Sequence, residues 1–360
     1  MLTFLLLIVL FAGMYALQAA CFGRRALAKV TYRCRFGSEE ITEGESLELI
    51  EEIENTGLLP LPYIRSEYSV SRFLEFADTH STITDRTRFV SSLFFLRGRS
   101  RITRRWHVTA TRRGEYRVER VLLLSSDLLG TTRASRAAQE LGGVLTVLPR
   151  CWEGEGLRQA ARSVHLGEQI VPWGCITDPV TVRDRMPYTG REPVRRMDWK
   201  ASARTGTLMV RTEEPVQERR ICVVFTAQQG EYGKMRVPEE TSEHTIRVTA
   251  ALFRELTDAG EPFSVCSNCM VEGEAVQYPE GCSPGRYHQL LRMLAALDIH
   301  PEQTLRDAVQ LPPGARLVIV TPFLSEDVRR IKAKHPDAQI ILTSPEDPDG
   351  LRITEAYEQE

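Results

Sequence analysis

The hydrophobic period changes midway along the 360-residue chain, and that change constrains the fold more than any other feature. From Ala28 to about Leu148 apolar residues come in short alternating runs broken by turn residues, the period of strands with one buried face. Leu47, Leu49 and Ile53 alternate with Glu48 and Glu51. Asn55-Thr56-Gly57 then supplies a turn, and Pro60 and Pro62 force an extended passage. Further runs cover residues 89–96, 106–110 and 116–124, and together these predict a β-sandwich. Beyond Ile221 the pattern becomes wholly apolar runs (221–225, 262–265, 317–320, 340–342) separated by amphipathic stretches. That alternation predicts an open α/β sheet with helices covering its faces. Ile246, Ala250, Phe253 and Leu256 share one helix face, with Glu239, Glu240 and Glu243 near its positive end. Leu290, Leu291, Leu294 and Leu297 mark a second helix, and Ser325 is placed to cap a third. Residues 271–278 read as a strand returning on Cys266–Met270, an antiparallel hairpin in an otherwise parallel sheet.

The N-terminus sets the expected location. Residues 2–22 are almost wholly apolar, about the ~20 residues a helix needs to cross a bilayer. No Lys or Arg precedes this run, whereas Arg24, Arg25, Lys29, Arg33 and Arg35 follow it. The positive-inside rule then predicts a single-pass protein of the cell membrane whose bulk lies in the cytoplasm. A cleaved signal peptide is the competing reading, supported by Ala-Leu-Gln-Ala-Ala at 16–20 but lacking a basic n-region. The eight cysteines are scattered and outline no disulfide framework, which fits a reducing compartment. Charge is near balance overall, yet the chain from Ile221 onward carries 13 Lys and Arg against 22 Asp and Glu. The part before it is correspondingly basic, so the two halves are expected either to attract each other or to meet different partners.

Between the two patterns lies Tyr188–Arg211, YTGREPVRRMDWKASARTGTLMVR, in which Arg195, Arg196, Lys200 and Arg204 surround Trp199. Two readings stand. The cations clamp a phosphate or an acidic partner through planar, bidentate donors; or Trp199 is a core anchor and the cations pair with Asp184, Glu192, Asp198, Glu213 and Glu214 to staple two domains. Arg195, Arg196, Trp199, Lys200, Ala203, Arg204 and Gly206, closed by Leu208, Val210 and Arg211, resemble the signature of the DUF58 family. The resemblance implies a membrane-anchored protein with an immunoglobulin-like sandwich and a von Willebrand A-like C-terminal half, partnered with a MoxR-type AAA+ ATPase. Arg113-Gly114-Glu115-Tyr116 followed by Asp127 and Gly130 resembles the hairpin that closes the family's sandwich. The expected organisation is thus a transmembrane helix (1–23), a sandwich (28–148), a linker bearing the signature (149–215) and a von Willebrand A-like domain (216–360). Tyr188, Arg195, Arg196, Trp199, Lys200, Arg204 and Arg211 are the candidate interaction residues. The family has Gly-Asp ahead of its Arg pair; this chain has Arg191-Glu192, which loses the turn glycine and adds a charge.

Other chemistries find less support in the residues. A Mg²⁺ site of the von Willebrand A type needs carboxylate and hydroxyl oxygens on the loop after the first strand, but Phe225-Thr226-Ala227-Gln228-Gln229 offers no carboxylate. No metal and no cofactor is expected. Cys266, Cys269, Cys282 and His288 have zinc-like spacing, yet a single CxxC is weak and both ends fall in regular elements. Cys151, His165 and Asp178 follow the order of a transglutaminase-like thiol hydrolase, without the Gly-rich turn and helix such a nucleophile opens. That enzyme, or a cell-envelope enzyme accessory, is the alternative to a non-enzymatic scaffold. The basic run 97–113 alternates as a strand does, so it reads as an exposed face or a lipid-facing one before nucleic acid. No phosphate-binding glycine motif appears, and no small-molecule substrate is expected.

Overall fold

A computed structural model describes residues 2–22, 26–77, 81–84, 87–126, 133–138, 140–154, 156–157, 177–190, 197–215, 220–227, 238–299, 305, 309–346 and 351–354. The first helix, α1, runs Leu2–Phe22, a length of about 31 Å at 1.5 Å per residue. Its side chains are described at residues 4–16, and all of these are exposed. Over the described side chains alone, 13 residues in α1, no helix is long and apolar enough to cross a membrane.

A single 3₁₀ turn, Ala26–Lys29, leads into the strand-rich half. Its strands are β1 (Val30–Phe36), β2 (Glu40–Thr42), β3 (Ser46–Asn55), β4 (Leu61–Ser71), β5 (Leu74–Phe76), β6 (Ser81–Ile83), β7 (Thr87–Leu96), β8 (Ser100–Ala110), β9 (Gly114–Tyr116), β10 (Val121–Ser126), β11 (Arg133–Ala137), β12 (Glu140–Leu141) and β13 (Leu145–Leu148). Two five-stranded sheets, β12-β1-β3-β8-β5 and β11-β10-β4-β7-β6, form a sandwich, and a small sheet β2-β13-β9 closes one end. Strict alternation of burial along β1 and β7, and along β4 from Ile64 onward, shows why these residues make strands: one side chain in two meets the core. That core includes Leu49, Ile53, Ile64, Leu74, Val90, Leu96 and Val108. β8 alternates over its first eight residues with Arg101, Thr103 and Arg105 outward, so the basic run is a strand face as its spacing predicts.

An antiparallel pair follows, β14 (Thr177–Pro187) and β15 (Met209–Pro215), with the short helix α2 (Trp199–Thr205) between them. Residues 149 to about 184 have the composition of an irregular connection, yet a long hairpin strand begins at Thr177. The remaining elements are β16 (Ile221–Phe225), α3 (Glu239–Asp258), β17 (Phe263–Val271), β18 (Glu274–Gly281), α4 (Pro284–Ala296), β19 (Arg316–Thr321), α5 (Glu326–Lys334), β20 (Gln339–Thr343) and β21 (Leu351–Thr354). They build a six-stranded sheet of order β18-β17-β16-β19-β20-β21. The four inner strands are parallel and both edge strands antiparallel. Every residue of β16 is buried, as a central parallel strand requires. Helix α3 presents Ile246, Ala250, Phe253 and Leu256 to the sheet, and Phe253 stacks on Phe263 with ring centroids 5.5 Å apart. Ser325 caps α5 by accepting the Val328 N–H.

The two halves are fastened by charge at the closed end of the sandwich. Arg113, almost fully buried, donates to the carbonyls of Leu294 (2.7 Å), Ala295 and Leu297 (both 3.2 Å) at the C-terminal end of α4. Those acceptors have no partner within the helix, and a cation there also meets the negative end of its dipole. Arg113 Nε lies 2.9 Å from Glu243 Oε2 as an ion pair, out of line for a hydrogen bond. Arg112 bridges Glu239 (2.5 Å) and Glu243 (2.7 Å) while lying over the Phe73 ring. Burial alone would lower the Arg112 pKa, and the two carboxylates outweigh it and raise it. On the same side Arg247 pairs with Glu43 at 2.6 Å, and Glu40 takes Arg292 at 2.9 Å together with His288. Tyr116 pins the turn by donating to the carbonyls of Arg112 and Arg113. Apolar packing crosses as well, since Leu148 and Leu157 belong to the core of the α/β sheet.

Candidate interaction site

The hairpin from β14 to β15 holds its connecting helix by three short-range devices. Asp198, 4% exposed, caps α2 with its carboxylate accepting the Ala201 N–H at 3.0 Å, as Asp does well at that position. Its own N–H donates to the Met209 carbonyl at 2.8 Å, tying the cap to β15. Ser202 then donates to the Asp198 carbonyl and accepts the Met209 N–H, each at 2.8 Å. Gly206 ends the helix at φ 69°, the left-handed conformation that costs glycine little. Ala201 and Val210 are buried, and a small residue at 201 lets the helix sit close on the strand.

These constraints leave one helix face outward. Trp199 and Ala203 are four residues apart, as are Lys200 and Arg204, and all four side chains are exposed. Trp199 is 63% exposed, and Met186 and Leu208 on the same hairpin are 47% and 46% exposed. The expectation of a core anchor is corrected here. Among the described residues this sheet is two strands wide, and the cap at Asp198 sets the first helical residue on the outer surface. Among the described residues, charged contacts between the two halves are made by Arg112, Arg113 and Arg247. Of the remaining candidates, Tyr188 is half-buried and its N–H donates to the Leu208 carbonyl at 2.7 Å. Arg211 pairs with Arg185 across the hairpin through its backbone. Arg191, Glu192, Arg195 and Arg196 lie outside the described residues, and so do the side chains of Asp184, Glu213 and Glu214.

Other candidate chemistry is dispersed. Cys151 Sγ lies 3.1 Å from the Tyr287 hydroxyl, whose pKa is raised by burial first and by the thiol. His165 lies outside the described residues, and of Asp178 only the backbone is described. Cys266 packs in a cluster with Cys222, their sulfurs 3.9 Å apart, whereas Cys269 belongs to the core on the other face of the sheet. Cys282 donates to the Thr257 carbonyl, and His288 faces Glu40. The zinc-like quartet is thus divided among four surroundings. Thr226 and Ala227 are buried at the end of β16, and Gln228 and Gln229 lie outside the described residues, as do Trp173, Cys175, Asp127 and Gly130. Among the described residues no group of three or more His, Cys, Asp and Glu is placed to hold a metal ion.

Most of the hairpin, its capped helix and most of the sheet that follows fall in the segment that a family model matches. Residues 184–346 match the model of the family described as "Protein of unknown function DUF58". That match supports the DUF58 family. The DUF58 segment begins within β14, so α2 and its exposed face fall inside it, together with all of the α/β sheet except β21. Comparison with curated proteins finds no match. Among solved structures, a non-cellulosomal cohesin from Archaeoglobus fulgidus is similar at 14% identity, covering 31% of this chain and 92% of its own, with a TM-score of 0.21. A CARDB domain from Pyrococcus furiosus is similar at 12% identity, covering 31% and 86%, with a TM-score of 0.20. A cohesin module of a Clostridium perfringens glycoside hydrolase gives 12% identity, 32% and 98% coverage and a TM-score of 0.20.

Proposed function

We propose that this chain is a membrane-anchored, non-enzymatic scaffold that uses the exposed face of α2 to bind a protein partner. The observation that carries the reading is Trp199, held outward beside Lys200 and Arg204 on a helix whose cap, centre and end are each fixed by hydrogen bonds. An aromatic anchor flanked by cations on a rigid support is the composition of binding hot spots, where Trp and Arg are enriched. Pre-fixing the helix lowers the ordering cost of association. The cationic flank selects an acidic surface. The DUF58 resemblance supplies the partner class, a MoxR-type AAA+ ATPase, and a von Willebrand A-like role for the α/β sheet. The apolar run 2–22 supplies the anchor, with the bulk of the chain in the cytoplasm. Co-purification of the full chain from native membranes tests the proposal. An AAA+ ATPase recovered in stoichiometric amount is expected. Its absence, together with a thiol-dependent hydrolysis abolished by Cys151→Ala, would replace the scaffold with the hydrolase.

A further inference from the structure

The end of the sandwich remote from the α/β sheet is built to show apolar side chains. Asn55, 1% exposed, donates through its amide nitrogen to the carbonyls of Leu59 (2.8 Å) and Arg97 (3.1 Å). Its amide oxygen accepts the Gly57 N–H at 2.9 Å. The Arg99 N–H donates to the Gly57 carbonyl, and both the N–H and the hydroxyl of Thr56 donate to the Lys29 carbonyl. Three separate segments, at 29, 56–59 and 97–99, are thereby locked together. Gly98 is needed for the fit, because a Cβ there would lie 2.0 Å from the Leu58 carbonyl oxygen. In this firmly fastened loop Leu58 is 74% exposed and Leu59 49%. Tyr63 and Phe95, next to the same tip on neighbouring strands, are also about half exposed. Lys29, Arg97 and Arg99 are exposed around them, and the nearby Glu54 is taken by Arg101 at 2.8 Å.

The geometry points to this tip as a membrane-docking surface, with Leu58 and Leu59 entering the interfacial layer and Lys29, Arg97 and Arg99 meeting anionic headgroups. The inference rests on the proposed anchor, and chain continuity favours it. Lys29 follows the end of α1 by seven residues, a span of at most about 25 Å even fully extended, and Lys29 is itself hydrogen-bonded to the tip. A bilayer crossed by α1 therefore lies within reach of this end of the sandwich. Apolar side chains ringed by Lys and Arg are what an anionic interface binds.

A photo-crosslinking amino acid placed at Leu58, and separately at Phe11, in the full chain reconstituted into vesicles tests this. Vesicles of phosphatidylcholine alone are compared with vesicles mixed with phosphatidylglycerol. Lipid adducts are expected at both positions, with the Leu58 yield several-fold higher on the anionic vesicles. Lys29→Glu with Arg97→Glu should remove that excess and leave the Phe11 yield unchanged. Adducts at Phe11 but none at Leu58 would overturn the docking surface and leave the anchor standing. Adducts at Leu58 without any at Phe11 would support the surface and overturn the anchor; none at either position would overturn both. A Leu58 yield indifferent to lipid charge and to the two Glu substitutions would refute the headgroup role.

Discussion

Glu51 sits in the middle of the sandwich with its side chain sealed from water and four donors around it. Tyr32 donates at 2.6 Å, Ser66 at 3.0 Å, Ser92 at 3.1 Å and Trp106 at 2.5 Å. Glu51 lies two residues from both Leu49 and Ile53, and the two-residue period of a strand puts all three on one face, so a carboxylate there is the anomaly. β3 buries Leu49, Ile50, Glu51 and Ile53; the period places Glu51 inside, whereas its donors come from four other strands and no local pattern joins them to it. Glu51→Leu would strand three buried donors and the half-buried Trp106 Nε1, and should cost about 3–5 kcal/mol; urea denaturation with an unchanged midpoint would refute this. Alkaline stability follows from the same core. Burial, with charge repulsion from Glu51 adding to it, pushes the Tyr32 and Tyr68 phenols far above their usual 10.0. The folded state holds them neutral, so their contribution is complete below pH 10 and is lost as the unfolded chain ionises above it. Stability should fall by about 1.4 kcal/mol per pH unit per tyrosine above pH 10. Tyr32→Phe should flatten that slope, whatever it does to stability at pH 8, and an unaltered slope would count against the assignment.

At the scale of elements, what was legible in the sequence was what depends on period. The all-apolar strands, the α3 face and the Ser325 cap each coincide with the element built there, because burial imposes a period and a cap needs a particular side chain. α2 was not legible in this way. Trp199 beside Ala201 reads equally as a core residue or a surface one, and only the hydrogen bonds donated by Asp198 to Met209 and by Met209 to Ser202 decide which side of a two-stranded hairpin it occupies. Asp198→Ala should therefore loosen the helix, costing about 1 kcal/mol as lost caps do, and speed amide exchange at Ala201 and Ser202. Exchange there at the wild-type rate would show that the cap is not what holds the helix. The junction was half visible. Arg113-Gly114-Glu115-Tyr116 stood out as a string, but its partner Glu243 is 130 residues away, and no local pattern joins them.

At the scale of the molecule, β8 links the two ends. Ser100 faces the tip with Asn55, and Ala110 lies at the closed end by Glu45; eleven residues of strand separate them by about 33 Å. The α/β sheet is thus carried on the far end of a rigid spacer, and the junction makes spacer and sheet a single body. Arg113→Ala should break that unity, leaving the α4 carbonyls and much of Glu243 without a buried partner. Calorimetry should then resolve two transitions where the wild type gives one; a single transition at the wild-type temperature would contradict the coupling. The central claim is that α2 is a binding face rather than part of a core, and it is tested most directly by one paired measurement on Trp199→Ala. Melting temperature and partner recovery from native membranes are determined on the same preparation. The account predicts a melting temperature within a degree or two of wild type, as expected for an exposed side chain. Recovery should fall by at least ten-fold, the loss of a hot spot worth about 2 kcal/mol. A clear drop in melting temperature with recovery unchanged would contradict it.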